Sequence, residues 1–388
     1  MSIRAHGFQV FAKPVGAQCN LACAYCYYLP AASLARQGTS ARMSDDLLET
    51  YIVQHIEACT DSVIRFSWHG GEPTLLGLDA FRMIVALQQK HRPVDKVIVN
   101  GIQTNGTLLD DQWCRFLDKE NVTVGLSMDG PEALHDRHRV TRECKPTHAQ
   151  VLRAYHCLRE HSVATEILCV VNTDNVHCPE EVYGFFKQLD VRTLTFLPLV
   201  KAQADSETGA SERSVPAEAW GEFLCTIFDQ WQAHDIGRIK VQIFEEAART
   251  AFNLEHSLCL FRKTCGGVPT LEKNGDLYSC DHFVTSAHRL GNIRETSLAA
   301  MLDSPTQHAF GQAKWDRLPR TCRQCDVLAM CHGGCPKNRI TQTVEGESGL
   351  NYLCKGYYRF FTHCRPFVDA LATVWHDQRD DQRPSLKM

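Results

Sequence analysis

No run of the sequence approaches the roughly 18 consecutive apolar residues that a membrane span requires. The opening MSIRAHGFQVFAKPVGAQ lacks the apolar core and small-residue cleavage site of a secretory signal. A cytoplasmic chain with no membrane contact is therefore expected. Blocks of Lys and Arg are missing too: 41 basic and 45 acidic residues leave a formal net charge of -4, and without a clustered basic face no nucleic-acid partner is expected. Internal repeats and low-complexity tracts are absent, which sets aside repeat architectures. The excess is in cysteine, 19 in 388 residues. Cytosolic thiols stay reduced, so this density does not read as a disulfide framework, and metal or cluster ligation is the leading alternative.

With 44% hydrophobic and 22% charged residues, the chain can form one large domain and a smaller one. From 43 to 198 it alternates helix-like and strand-like segments. Ser44 can cap a helix with Asp45 and Asp46 in its first turn and Leu47, Leu48, Tyr51 and Ile52 on one face. Strands are expected at 63–68, 97–103, 122–127, 166–171 and 193–197, with helices at 78–91 and 111–119 between them. About six βα units suit an α/β fold of the open type, a partial (β/α)6 barrel, whose site lies at the carboxyl ends of the strands. The polar stretch 201–214 reads as a linker or mobile loop, and helices are expected at 216–234 and 244–254. The division expected is a barrel over 1–235 and a cysteine-rich domain with a C-terminal helix over 236–388.

Cys19, Cys23 and Cys26 stand in CNLACAYC, so three thiolates share one tight loop. A [4Fe-4S] cluster takes four ligands; three leave one iron that the amino and carboxylate groups of S-adenosylmethionine (SAM) can chelate. A zinc loop with a fourth ligand from elsewhere is the other reading. Gly70-Gly71-Glu72-Pro73 ends the next strand, and Gly71, lacking a side chain, would let backbone groups approach the methionine end of SAM. Further strand ends carry Gln103-Thr104-Asn105-Gly106 and Ser127-Met128-Asp129-Gly130, which make a ligand pocket or ordinary turns. Ser127 and Arg139 are the candidates to hold the SAM carboxylate.

Toward the carboxyl end, Cys259, Cys265 and Cys280 precede Cys322, Cys325, Cys331 and Cys335, and Cys354 follows. These eight would complete two four-thiolate clusters with no open iron, suited to electron transfer or support; two zinc sites would satisfy the same count. The remaining eight, Cys59, Cys114, Cys144, Cys157, Cys169, Cys178, Cys225 and Cys364, are scattered and taken as structural.

The cysteine loop with Tyr25 before its last cysteine, together with the glycine turn, resembles the radical SAM superfamily. The carboxyl-terminal cysteines, with Gly275 before Cys280, resemble its twitch-containing SPASM extension. From Phe11 to about Phe367, CNLACAYCYY, WHGGEPTLLGL, QTNGTLLD, VGLSMDGP, NGDLYSCDHFV, RLGNI and CHGGCPKNR make the chain similar to the anaerobic sulfatase-maturating enzymes. That resemblance implies SAM and three [4Fe-4S] clusters as cofactors, with Cys259, Cys265, Cys280 and Cys335 holding one auxiliary cluster and Cys322, Cys325, Cys331 and Cys354 the other. It implies an adenine contact from Val200 and SAM contacts from Tyr25, Gly71, Ser127 and Arg139. It also implies that a radical derived from SAM removes a Cβ hydrogen from a Cys or Ser side chain and that Asp281 takes the thiol or hydroxyl proton, giving formylglycine. Asp281 is otherwise a solvated turn aspartate. His282 is a relay or packing, and His69 is undecided. The implied partners are an unfolded or nascent sulfatase polypeptide and an electron donor such as flavodoxin or ferredoxin, with the enzyme a monomer. A maturase that cross-links or epimerises ribosomal peptides is the alternative, although only 18 residues precede Cys19, too few for a recognition domain. A non-enzymatic metal-binding module is a further alternative.

Overall fold

The computed structural model describes residues 7–28, 41–203, 205–206 and 209–381. The first part of the chain forms β1 (Phe11–Ala12), α1 (Asp45–Ala58), β2 (Val63–Trp68), α2 (Leu78–His91), β3 (Val97–Thr104), α3 (Asp111–Lys119), β4 (Thr123–Ser127), α4 (Glu132–His135), α5 (His148–Glu160) and β5 (Thr165–Val171). There follow α6 (Pro179–Gln188), β6 (Thr193–Pro198), α7 (Ala217–His234), β7 (Lys240–Val241) and α8 (Gln242–Arg249). The last part forms β8 (Thr270–Leu271), β9 (Asp276–Tyr278), β10 (Arg289–Asn292), α9 (Leu298–Leu302), α10 (Pro305–Asp316), α11 (Arg320–Arg323), α12 (Leu328–Cys331) and α13 (Cys354–Asp381).

Packing divides the chain into two discontinuous units, residues 1–169 with 264–314, and residues 170–263 with 315–388. In the first unit the strand order is β10-β9-β8-β1-β2-β3-β4-β5. Strands β1 to β5 are mutually parallel, β8 adds parallel to β1, and β9 and β10 continue antiparallel. Helix α1 begins where the Ser44 hydroxyl accepts the Leu47 N–H at 3.3 Å. Its buried face of Leu47, Leu48, Tyr51, Ile52, His55 and Ile56 repeats at helical spacing, and Tyr51 packs edge-on against Phe66 and Trp68 of β2. Because β1 to β4 run the same way, their carboxyl ends share one edge of the sheet, where the segments beginning at Lys13, His69, Asn105 and Met128 emerge.

In the second unit, the Val171 carbonyl at the end of β5 accepts the Leu199 N–H at 2.8 Å, and β6 pairs parallel with β7. Helices α7 and α13 meet at Gly221 and Gly356, where a Cβ on Gly221 would lie 2.9 Å from the Gly356 backbone. Phe228 packs there against Phe360 and Phe367. The expected linker 201–214 includes positions 204, 207 and 208, which lie outside the described residues. Its described part is a closed loop: Ser211 N–H donates to the Lys201 carbonyl and the Ser214 hydroxyl accepts the Lys201 N–H, at 2.8 and 2.9 Å. The second unit runs through this loop without a break.

Of the eight cysteines taken as structural, Cys114, Cys169, Cys225 and Cys364 are buried. Cys144 is exposed at a left-handed φ of 58°, so it is no core residue. Among the described residues no helix is long and apolar enough to cross a membrane.

Candidate active site and thiol clusters

Cys19, Cys23 and Cys26 lie on the loop that leaves β1. The loop is held by backbone bonds from Ala22 N–H to the Val140 carbonyl and from Ala24 N–H to the His138 carbonyl, both 2.9 Å. The glycine turn after β2 is zipped onto the same loop: Gly71 N–H donates to the Gly16 carbonyl and Glu72 N–H to the Gln18 carbonyl, both 2.8 Å. A Cβ on Gly71 would stand 2.0 Å from the Gln18 carbonyl oxygen. The room at Gly71 is thus already used by the chain's own backbone beside Cys19. Gly71→Ala is expected to displace Gln18 and Cys19 and to cost the loop its iron, measured as iron per chain after anaerobic reconstitution.

Glu72 is fully buried and accepts from Thr74 N–H (3.0 Å) and hydroxyl (2.7 Å), the Thr104 hydroxyl (2.7 Å) and Asn105 N–H (2.7 Å). Burial raises its pKa and these bonds only partly offset that. The carboxylate thereby fixes the end of β3 against the glycine turn. Asn105 then reaches Asn20 at 2.9 Å and lies 3.8 Å from the Cys19 sulfur. The sequence placed Asn105 only within a strand-end motif read as a ligand pocket or a turn, and gave Glu72 and Asn20 no role of their own; the polar residues beside glycine at successive strand ends were the available signal.

Burial pushes the Cys19 thiol up to about 11, with the charges of Glu72, Cys23 and Cys26 adding to it against the Leu21 N–H. Cys23 is raised by burial, partly offset by Arg139 and reinforced by Cys26 and Asp129. Cys19 and Cys23 thus both feel the charge of Cys26, and a thiol raised by burial gives up its proton when a positive group takes its place. That donor set fits an iron–sulfur cluster with one open iron.

Beside Cys23, the Tyr25 hydroxyl donates to the Asp129 carboxylate and accepts from Arg139 Nη1 at 3.0 Å. Arg139 is buried, with no hydrogen-bond partner for its Nε. Tyr25 and Arg139 are thus brought together, whereas Ser127 is engaged by Gln103, whose amide donates to its hydroxyl at 3.1 Å. Val200 is buried in the second unit, two residues beyond β6.

Asp281 is buried, with Lys13 Nζ 2.6 Å from its Oδ1. The Tyr27 hydroxyl donates to Oδ2, and the Thr270 hydroxyl to Oδ1 at 3.3 Å. The Lys13 ammonium also lies 3.4 Å from the centre of the Tyr28 ring, and the Tyr28 hydroxyl donates to the buried Glu272. Burial alone would raise the Asp281 carboxyl, but Lys13, His282 and the hydrogen bonds from Lys13 and Tyr27 hold it well below the usual carboxylate range. It is an enclosed carboxylate paired with an ammonium and not a solvated turn residue. Nearby, His69 stacks on Phe11 at 3.9 Å, and burial lowers it to about 4, leaving a neutral imidazole at pH 7. His282 is exposed, edge-on to Tyr27 at 5.2 Å. Lys13, Tyr27, Tyr28 and Glu272 escaped sequence reading because no local spacing connects positions 13, 27 and 272 with 281.

In the second unit, α11 carries Cys322, α12 ends on Cys331 and α13 starts at Cys354. Burial raises Cys331 to about 12, with Cys354, Cys322 and Cys325 adding to it, and burial with Cys322 and Cys325 raises Cys354 to about 11. These four thiols are gathered in one place. Glu246 is buried and accepts Ser257 and Leu258 N–H at 3.1 Å, while His256 lies 2.9 Å both from Glu246 and from the Ala329 carbonyl. This ties the segment before Cys259 to the turn before Cys331. Of the other expected set, Cys259 and Cys335 belong to the second unit and Cys265 and Cys280 to the first. Among the described residues, no three His, Cys, Asp or Glu side chains are drawn around a single ion. Thiols that feel one another's charge are the neighbours that a shared four-thiolate site needs.

Residues 14–186 match the family model of the radical SAM superfamily, and residues 259–326 that of an iron-sulfur cluster-binding domain. A serine-type anaerobic sulfatase-maturating enzyme of Bacteroides thetaiotaomicron is 42% identical over 93% of this chain and 90% of its own length. A cysteine-type anaerobic sulfatase-maturating enzyme of Clostridium perfringens is 31% identical over 91% of this chain and 95% of its own. The solved structure of native anSMEcpe with bound AdoMet and Cp18Cys peptide superposes with a TM-score of 0.85 at 30% identity, covering 95% of this chain and 99% of that one. With the parallel α/β sheet opening its site at the strand ends, these likenesses place the chain in the anaerobic sulfatase-maturating enzymes of the radical SAM superfamily.

Proposed function

We propose that this enzyme oxidises the side chain of a Ser or Cys residue in an unfolded or nascent sulfatase polypeptide to Cα-formylglycine, in the cytoplasm. The observation that carries the reading is the enclosed Asp281 carboxylate directly after Cys280, with Lys13 Nζ 2.6 Å from its Oδ1 and in the same unit as the Cys19 loop. When bound, SAM and its open-iron cluster supply a radical that removes one Cβ hydrogen, and the auxiliary clusters accept the second electron. The chain does the rest. Tyr25, Gly71, Ser127, Arg139 and Val200 are assigned to SAM. Cys19, Cys23 and Cys26 hold the first cluster, Cys322, Cys325, Cys331 and Cys354 one auxiliary cluster, and Cys259, Cys265, Cys280 and Cys335 the other.

Asp281 takes the proton of the target hydroxyl or thiol. Its negative charge is the state a base needs, and the pairing with Lys13 and Tyr27 that secures this state also lowers its basicity, so proton uptake involves those two neighbours. A monomer served by a small electron donor such as flavodoxin or ferredoxin completes the reading. The likeness to serine-type relatives, 42% against 31% for the cysteine type, favours a serine target. The test is mass spectrometry of sulfatase-motif peptides after anaerobic turnover. A Ser peptide should lose two hydrogens, and a Cys peptide should in addition exchange sulfur for oxygen. An unmodified peptide, or a cross-linked or epimerised one, would overturn the assignment.

Replacing Cys280 or Cys331 by Ala should remove or destabilise one auxiliary cluster and lower solubility, since a bound cluster stabilises a cysteine-rich fold as other metals do. Unchanged iron content and melting behaviour in both variants would refute ligation.

A further inference from the structure

Helix α10 buries no apolar side chain completely. Its buried residues are Gln307, Gly311 and Lys314, on one face at spacings of four and three. A helix kept in place by the hydrophobic effect buries an apolar stripe, so the role of this face is sought in what it touches. The fully buried Gln307 donates from its amide nitrogen to the Gly266 carbonyl at 2.8 Å and to the Ser279 carbonyl at 3.1 Å. Gly266 follows Cys265, and Ser279 precedes Cys280. One turn further along, Cys265 N–H donates to the Gly311 carbonyl at 3.0 Å, and a Cβ on Gly311 would stand 2.5 Å from the Cys265 carbonyl oxygen. The orientation of the amide is fixed, because turning it over would set its oxygen against two carbonyl oxygens. Its own oxygen is buried and has no hydrogen-bond partner, so the side chain is retained for its donors.

We propose that Gln307 is a positioning residue that sets the separation of Cys265 and Cys280, with Gly311 providing the close approach of Cys265 to the helix. This rests on the reading of those two cysteines as ligands of one auxiliary cluster. Gln307 touches no iron; it holds the two peptide segments that carry the thiolates, the kind of outer support that keeps ligands in register with their metal. Because Asp281 follows Cys280, the same clamp also fixes the segment that bears the proposed base.

The test uses the full chain, reconstituted without oxygen, as the parent, Gln307→Met and Gly311→Ala. Iron is counted, its release to a chelator is timed, and the reduced proteins are compared by low-temperature EPR. The parent should hold about twelve irons for three four-iron clusters; a count near eight would overturn the ligand assignment itself. In both variants about four irons, one cluster's complement, should be missing or released at least about tenfold faster, a loss within the range seen when outer-shell partners of metal sites are removed. The other clusters and SAM cleavage to 5'-deoxyadenosine should be retained. Release kinetics and EPR spectra identical to the parent in both variants would overturn the proposal. So would loss of iron from all clusters together, which would make α10 a general packing element. Should Gln307→Met fail to fold, Gly311→Ala, a change of one methyl group, decides the matter.

Discussion

Replacing Asp281 by Asn is expected to lower formylglycine formation by about a hundredfold or more, the usual cost of losing a general base, while SAM is still cleaved. Asn keeps the size of the side chain but cannot take the proton from the target hydroxyl or thiol. The structure adds a second consequence. Lys13 is 1% exposed and its Nζ lies 2.6 Å from Asp281, so the substitution leaves a buried ammonium without its partner, a loss of about 3–5 kcal/mol when a buried pair is broken from one side. A lower melting temperature is therefore expected alongside the lost activity. Combining Asp281→Asn with Lys13→Met should recover most of that stability, because an apolar group of similar volume replaces the stranded charge, and should recover no formylglycine. The measurements are product and 5'-deoxyadenosine in the same anaerobic reaction, with iron content as a control. Formylglycine at the parent rate would move the base elsewhere, with His282 next in line. Loss of iron would make Asp281 a support for Cys280.

Changing Cys19, Cys23 or Cys26 to Ala is expected to abolish SAM cleavage outright and to lower iron from about twelve to about eight per chain, one four-iron cluster's worth. The three thiols share one loop, and the charge of Cys26 bears on both Cys19 and Cys23. Cys322, Cys325, Cys331 and Cys354 are gathered in the second unit, so their cluster should persist. A triple variant that still produces 5'-deoxyadenosine from SAM would refute the assignment.

Most of the parallel sheet was legible in the sequence. β2 and α2 have the expected limits, and α1 starts at its Ser44 cap, because apolar periodicity and local caps act over a few residues. The short strands β8 to β10, of two to four residues, carry too little pattern to read. The buried face of α10, with Gln307, Gly311 and Lys314, has the opposite composition from the one that marks a core helix.

By itself the sequence determined which thiols must be neighbours where covalent spacing leaves no choice: Cys19, Cys23 and Cys26 within one loop, and Cys322 and Cys325 within a few residues of each other. With the strand-end motifs, it carried the family resemblance that implied the cofactors. Only the tertiary structure decided that Gly71 is a glycine because Gln18 passes against it. It alone decided that Asp281 is buried beside Lys13 and Tyr27, and that Gln307 spans the segments of Cys265 and Cys280. The physical reason is the same in each case. Such contacts join positions between 28 and 268 residues apart, and their partners are chosen by strand order and by the burial that makes an unpaired charge or donor costly, neither of which local spacing can express.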